Sequence, residues 1–341
     1  MTLVKKILTG FLTIFMAACA GPKIKQRVVM PAKENSMKTV KKIAVIDFSG
    51  DHQREFSTKL ESFLANIKVK NKPYFTVVDR NALDLIIKEQ KMVSESGLFD
   101  EKDAVKLGRL SGVDTVVNGF VKWPSMETQS FHEERSVCVR TNSKGKCKEW
   151  GTTQVRCNRQ VSKFNVTVKA ISVEKGVVTF SKNYVGVGKN EYCSDSTGKG
   201  KKLPSSLSQE AINSAMLTMR RDLAPYIVVM TIELMNSDDS ELKDNKSANK
   251  LFESGLEFAD SKRMDRACQK FGAATAQYDK SPALYHNLGV CAEIEGNLEK
   301  ALKLHSHADN LLEKPDKNIS NSLIRVNKKI TDKNAVESQM R

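Results

Sequence analysis

The sequence has few histidines and tryptophans, and no internal segment is apolar for long enough to cross a bilayer as a helix. Its five histidines are scattered, so it offers little for a metal or catalytic centre, and no cofactor, metal site or catalytic residue is predicted. The 341 residues are 40% hydrophobic and 28% charged, which is typical of a folded chain of about two domains. This composition excludes a multispanning membrane protein, a collagen-like chain and a disordered chain.

Acidic residues are also in deficit, because 55 Lys and Arg stand against 40 Asp and Glu, for a net charge of +15. In the cytoplasm such a charge would favour nucleic acid. The N-terminus predicts export, so no nucleic-acid partner is expected. Outside the cytoplasm the same charge favours anionic lipid or an anionic wall polymer.

Residues 1–18 have the pattern of a lipoprotein signal peptide. Lys5 and Lys6 precede an apolar stretch at 7–16, which as a helix would be about 15 Å long, half of a bilayer core. The following Met-Ala-Ala-Cys19 resembles a bacterial lipobox, with Met in place of the usual Leu. The resemblance implies cleavage before Cys19, lipidation of Cys19 and an outer-membrane location facing the periplasm. The alternative is an ordinary secretory signal with a chance cysteine.

Strand and helix patterns alternate after residue 40. Residues 19–40 contain two prolines and no periodicity, which predicts a tether. Short apolar segments then alternate with amphipathic helical patterns, which indicates an α/β (α+β) domain. The predicted strands are 42–48, 75–79, 114–121, 161–173 and 176–185, and a helix broken at Pro225 is predicted over 206–234.

Two of these segments, FTVVDRNALDLIIKEQ (75–90) and KLGRLSGVDTVVNGFV (106–121), with IAVIDFSG (43–50) upstream, resemble the CsgG family of curli-secretion lipoproteins and their relatives. The resemblance implies a CsgG-like periplasmic domain over 41–235 with no enzymatic chemistry. Members are often oligomeric, so a homo-oligomer is a candidate assembly. A basic, cysteine-containing insertion at 126–202 departs from the family core.

Three functions are compatible with this resemblance. The first is an assembly or adaptor component of envelope machinery for secretion, a surface appendage or wall synthesis. The second is a CsgG-type export channel, which needs membrane hairpins of alternating polarity, whereas residues 126–160 carry charges on both strand faces. The third is an activator of a penicillin-binding protein.

After a polar linker at 236–247, small residues recur with a period of 34. This predicts two tetratricopeptide-like repeats at 248–281 and 282–315, then a capping helix and tail at 316–341, with generic helical hairpins as the alternative. Repeats of this kind present a groove to a protein partner. The signature positions are Gly255, Phe258, Ala267, Phe271, Ala274, Tyr285, Leu288, Gly289, Ala301 and Ala308.

Six cysteines remain besides Cys19, and in an exported chain they predict disulfides. Cys138, Cys147, Cys157 and Cys193 lie in the basic insertion, at spacings unlike those of zinc knuckles. Their three possible connectivities stay open. Cys268 and Cys291 lie on helices that should pack together, as a third disulfide or as two buried thiols.

Overall fold

The structure, a computed structural model, describes residues 21–89, 101–195 and 200–340. The predicted signal peptide and Cys19 lie outside these residues. Contacts divide the chain into two units, which we call the sheet unit (Val29–Tyr226 with residues 335–340) and the helical unit (residues 21–28 with Ile227–Asn334).

Among the described residues, strands and helices are interleaved up to β9, and only helices follow it. The strands are β1 (Lys23–Met30), β2 (Lys42–Ser49), β3 (Lys68–Val69), β4 (Lys72–Pro73), β5 (Thr76–Val77), β6 (Thr115–Thr141), β7 (Cys147–Ser172), β8 (Val177–Cys193) and β9 (Tyr226–Glu233). The helices are α1 (Glu55–Ala65), α2 (Arg80–Glu89), α3 (Glu101–Ser111), α4 (Pro204–Leu223), α5 (Lys246–Asp260), α6 (Met264–Thr275), α7 (Pro282–Glu295), α8 (Leu298–Asn310) and α9 (Lys317–Met340).

A five-stranded sheet of order β5-β2-β6-β7-β8 forms the sheet unit. β5, β2 and β6 are parallel, whereas β6, β7 and β8 are antiparallel. The continuous apolar run of β2 is buried on both faces: Ile43 and Val45 pack with α1 and α4, and Ala44 and Ile46 pack with α2 and α3. The prediction of an α/β domain followed by an all-α region is confirmed.

β6 and β7 are far longer than ordinary strands, at 27 and 26 residues against a usual five or six. They pair from Thr115 with Ser172 to Thr141 with Cys147, and beyond Ser125 nearly every β6 side chain is exposed or half-buried. We call residues 126–160 the hairpin arm. The arm continues the core sheet without a break. The part of the predicted insertion at 126–160 is therefore an extension of strands β6 and β7.

Two stretches differ from the predictions. Lys23–Met30 lies within the predicted tether, yet it forms strand β1 and pairs with β9. Its charged residues alternate with half-buried ones over only eight residues, and such a short alternation between two prolines is a weak signal for a strand. Tyr226–Glu233 was predicted to be helical and forms β9. Here the residue before Pro225 is forced into extended backbone, so the helix ends at Leu223 and a strand follows.

The helical unit contains two antiparallel helix pairs, α5–α6 and α7–α8, followed by α9. The 34-residue period has a packing cause, because an added Cβ at Gly255 would lie 2.5 Å from the ring of Phe271 and one at Gly289 would lie 2.5 Å from the ring of His305. The small residues therefore admit a large ring from the second helix of each pair. The matching alanines, Ala267, Ala274, Ala301 and Ala308, are fully buried.

Assignment of these pairs to the tetratricopeptide family stays a prediction. Two other signature side chains contact the second helix of their own pair: the guanidinium of Arg266 lies 5.9 Å from the ring of Phe258, and Tyr285 packs edge-on against His307. Leu288 is half-buried in the same core.

Candidate interaction surfaces

Three disulfides use the six remaining cysteines, and each joins neighbouring elements. Cys138–Cys147 closes the end of the hairpin arm, and Cys157–Cys193 joins β7 to β8, where the two residues are direct cross-strand partners. Cys268–Cys291 links α6 to α7. The strand register selects one of the connectivities that the sequence left open.

The arm has no core of its own, so its order depends on pairing between strands. Arg135 binds Glu133 at 2.7 Å and Asp195 at 3.0 Å, and Arg159 binds Glu191. Exposed ion pairs contribute little each, so the two disulfides are the stronger constraints on the arm.

Glu133, Cys157 and Cys193 are the one group of three metal-type side chains that come together within the described ranges. Both cysteine sulfurs are bonded to each other, so they are not available as thiolate ligands.

The end of the arm exposes apolar and basic side chains together. Trp150 and Val139 are 67% and 64% exposed, although Cys138–Cys147 fixes the strands that carry them. Asn142 accepts hydrogen bonds at 2.9 Å from the backbone N–H groups of Lys144 and Lys146, which orders the turn. The basic residues at this end are Arg140, Lys144, Lys146 and Lys148. An ordered, exposed tryptophan among cations suits contact with an anionic, partly apolar surface.

A buried ionic cluster lies in the helical unit. Glu293 of α7 is fully buried, and its carboxylate contacts His305 of α8 at 3.0 Å and, on α9, Arg325 at 2.7 Å and Lys329 at 2.6 Å. Burial alone would raise the pKa of Glu293, but hydrogen bonds from His305 and Arg325 hold it well below its usual range. Burial lowers the pKa of Lys329. The cluster therefore fixes α9 against the second helix pair.

Residues of β1 and β9, and Met235 after β9, make hydrogen bonds to the same helix, α7. The Asn287 side chain accepts from the backbone N–H of Met235 at 2.9 Å and donates to its carbonyl at 2.8 Å. His286 Nε2 lies 3.2 Å from the carbonyl of Glu233, and Gln26 of β1 donates to the carbonyl of Glu293 at 2.7 Å. Polar side chains of α7 thus satisfy backbone groups of β9 and of the residue after it. The groove for a protein partner stays a prediction.

Sequence reasoning did not find this cluster. His305 stands where the repeat pattern expects an aromatic residue, and that substitution was the available signal. A cleft of about 1010 Å³ also lies in the described part of the helical unit, beside residues 21–26.

Comparison with known proteins now assigns the family. The model of the family described as "Curli production assembly/transport component CsgG" matches residues 19–254, more than half of the chain. The chain therefore belongs to the CsgG family. The match extends beyond both ends of the predicted domain at 41–235.

Two similar solved structures are PelC dodecamers from Paraburkholderia phytofirmans. A point variant in space group C2 is 14% identical, covers 59% of this chain and 99% of its own, and has a TM-score of 0.25. A form in space group P6 is 15% identical, covers 59% and 98%, and has a TM-score of 0.23. No curated protein matches the sequence significantly. Among the described helices, none is both long and apolar enough to cross a membrane.

Proposed function

We propose that this protein is a non-enzymatic, lipid-anchored component of an envelope assembly or transport apparatus, held at the outer membrane by Cys19 and facing the periplasm. The observation that carries the proposal is the family match, which begins at residue 19, the predicted lipid-bearing cysteine. The three disulfides support it, because such bonds persist in an oxidising compartment.

The charge distribution on the arm supports an assembly role over a channel. A lipid-facing strand needs one apolar face, but consecutive arm residues His132, Glu133, Glu134 and Arg135 place polar groups on both faces. On the arm, the exposed apolar residues Val137, Val139 and Trp150 lie near its end, and Met126 lies at its base. We propose that this end contacts an anionic membrane surface, to which each Lys or Arg contributes about 1 kcal/mol.

The arm can be shortened in register. Replacing residues 133–155 by Asn-Gly would join His132 to Arg156, which are direct cross-strand partners, and would retain Cys157–Cys193. We expect weaker binding to vesicles that contain anionic lipid and unchanged binding to neutral ones. The matched control is Lys169→Gln on the exposed face of the core sheet, which should bind as the wild type does. Unchanged binding of the shortened protein would contradict the role of the arm.

The native mass of the detergent-extracted protein, with single-particle images and the N-terminal peptide mass, tests the proposed function. We expect a lipid on Cys19, its loss in Cys19→Ala, and a homo-oligomer without membrane conductance. A closed ring that conducts ions would establish the channel instead. An unmodified Cys19 would overturn lipid anchoring, and capture of a penicillin-binding protein would favour the activator.

A further inference from the structure

The cleft of the helical unit opens beside the start of the described chain. It has a volume of about 1010 Å³, at the upper end of the usual range for ligand sites, and residues 21–26 form one wall. The rest of the lining comes from the end of α5, the turn to α6 and the end of α7, where Ala259, Met264 and Ile294 are apolar and Asp260 and Lys262 are charged. Ile294 is 36% exposed, and Ile24 of β1 lines the same cleft.

The chain is fixed at this wall. The backbone N–H of Leu234 donates to the carbonyl of Pro22 at 3.0 Å. At Gly21 an added Cβ would lie 1.9 Å from the carbonyl oxygen of Leu234, so only glycine permits this close approach. Gly21 and Pro22 are therefore held by the segment that follows β9.

Cys19 is two residues before Gly21, so it lies within about 7 Å of that residue even when the chain is fully extended. After cleavage before Cys19, only Cys19 and Ala20 precede the fixed residues. The sequence therefore puts the proposed lipid two residues from a wall of this cleft, which also exposes Ile294.

We propose that the cleft is an acyl-chain site that holds one chain of the lipid on Cys19. The inference rests on the proposed lipidation. A fully modified lipoprotein has further acyl chains, and two are enough for stable anchoring, so occupation of the cleft by one chain is compatible with membrane attachment. The site would fix the helical unit close to the bilayer surface, which a free tether would not do.

Photocrosslinking of the full-length lipidated protein in intact membranes tests this site. Cells are fed a fatty acid that carries a diazirine, the membranes are irradiated, and the cross-linked peptides are identified by mass spectrometry. We expect cross-links to peptides that contain Ile24, Met264 or Ile294. The variant Ile294→Asp should lower their yield about tenfold, because a carboxylate beside a hydrocarbon chain loses hydration. Ile324→Asp is the matched control, since Ile324 is 70% exposed on α9 and does not line the cleft.

The N-terminal peptide mass separates this inference from the proposed function. If Cys19 carries the lipid but cross-links form only to bilayer lipid, the acyl-chain site is wrong and lipid anchoring stands. If Ile294→Asp and Ile324→Asp lower the yield equally, the cleft is not the site. If Cys19 carries no lipid, both proposals fail.

Discussion

Replacing Glu293 by Gln should destabilise the helical unit strongly. The carboxylate is fully buried and neutralises two cations of α9, and Lys329 is itself only 5% exposed. Gln keeps the size of the side chain and one acceptor oxygen, but it removes the negative charge. Lys329 must then lose its proton or remain buried as an unpaired ammonium group.

The magnitude follows from the burial of both partners. Removal of one member of a buried ion pair costs about 3–5 kcal/mol. Arg325 is 14% exposed and can recover some hydration, so we expect the lower end of that range, about 3 kcal/mol. For a unit of this size, each kcal/mol lowers the melting temperature by roughly 4 °C, which gives a shift of about 12 °C.

Thermal and urea unfolding followed by circular dichroism at 222 nm measures this effect, because the signal is dominated by helices. Glu295→Gln is the control: Glu295 is exposed on the same helix, and its change should stay within about 0.5 kcal/mol. Adding Lys329→Met to Glu293→Gln should recover part of the loss, since the double variant no longer buries an ammonium group without a counter-ion. Equal midpoints for Glu293→Gln and Glu295→Gln would refute the reasoning.

Three further perturbations test the packing and the pH dependence. Burial lowers the pKa of His286 to about 4, below the unfolded value near 6.5. Its contribution to stability is therefore complete above pH 6.5 and falls by about 3 kcal/mol as the pH drops to 4. In unfolding measured against pH, His286→Gln should reduce this slope, while exposed His307→Gln should not. Gly255→Ala should destabilise by about 1–3 kcal/mol because its new methyl group meets a ring of α6, whereas Gly272→Ala, with nothing within 4 Å, should stabilise by about 1 kcal/mol in urea titration. Gly186→Ala should lower soluble yield and the thermal midpoint more than either, because the added carbon would lie 1.8 Å from a backbone oxygen of α4.

Strands that are buried on both faces could be predicted, because a continuous apolar run identifies such a strand without knowledge of the strands that pair with it. Residues 43–46 of β2 are apolar throughout, and a strand with helices on both sides requires that composition. β1 and β9 have half-buried and exposed residues in alternation, and each forms only because the other supplies hydrogen bonds. Such a pairing joins residues about 200 positions apart, which local periodicity does not encode.

The hairpin arm shows a second limit of sequence reasoning. Its residues alternate neither in polarity nor in size, so the local pattern does not predict strands over 126–160. The strands are continued from the apolar core of β6 and β7, and disulfides hold them where burial does not. Cysteine spacing alone left the pairing open because connectivity depends on register, and register is set in the core.

The buried polar residues of α7 affect whether a partner can bind along this helix. Two helix pairs are a short array, and such arrays need caps over their apolar ends. Here α9 supplies one cover through Glu293, and the segment after β9 supplies another through Asn287. Apolar caps would tolerate sliding, whereas these contacts require a buried carboxylate and a buried amide to meet specific partners. Because opening either cover would expose unpaired buried groups, binding of a partner along α7 would cost several kcal/mol. The two proposals therefore place binding at the end of the hairpin arm and in the cleft beside residues 21–26, and not along α7.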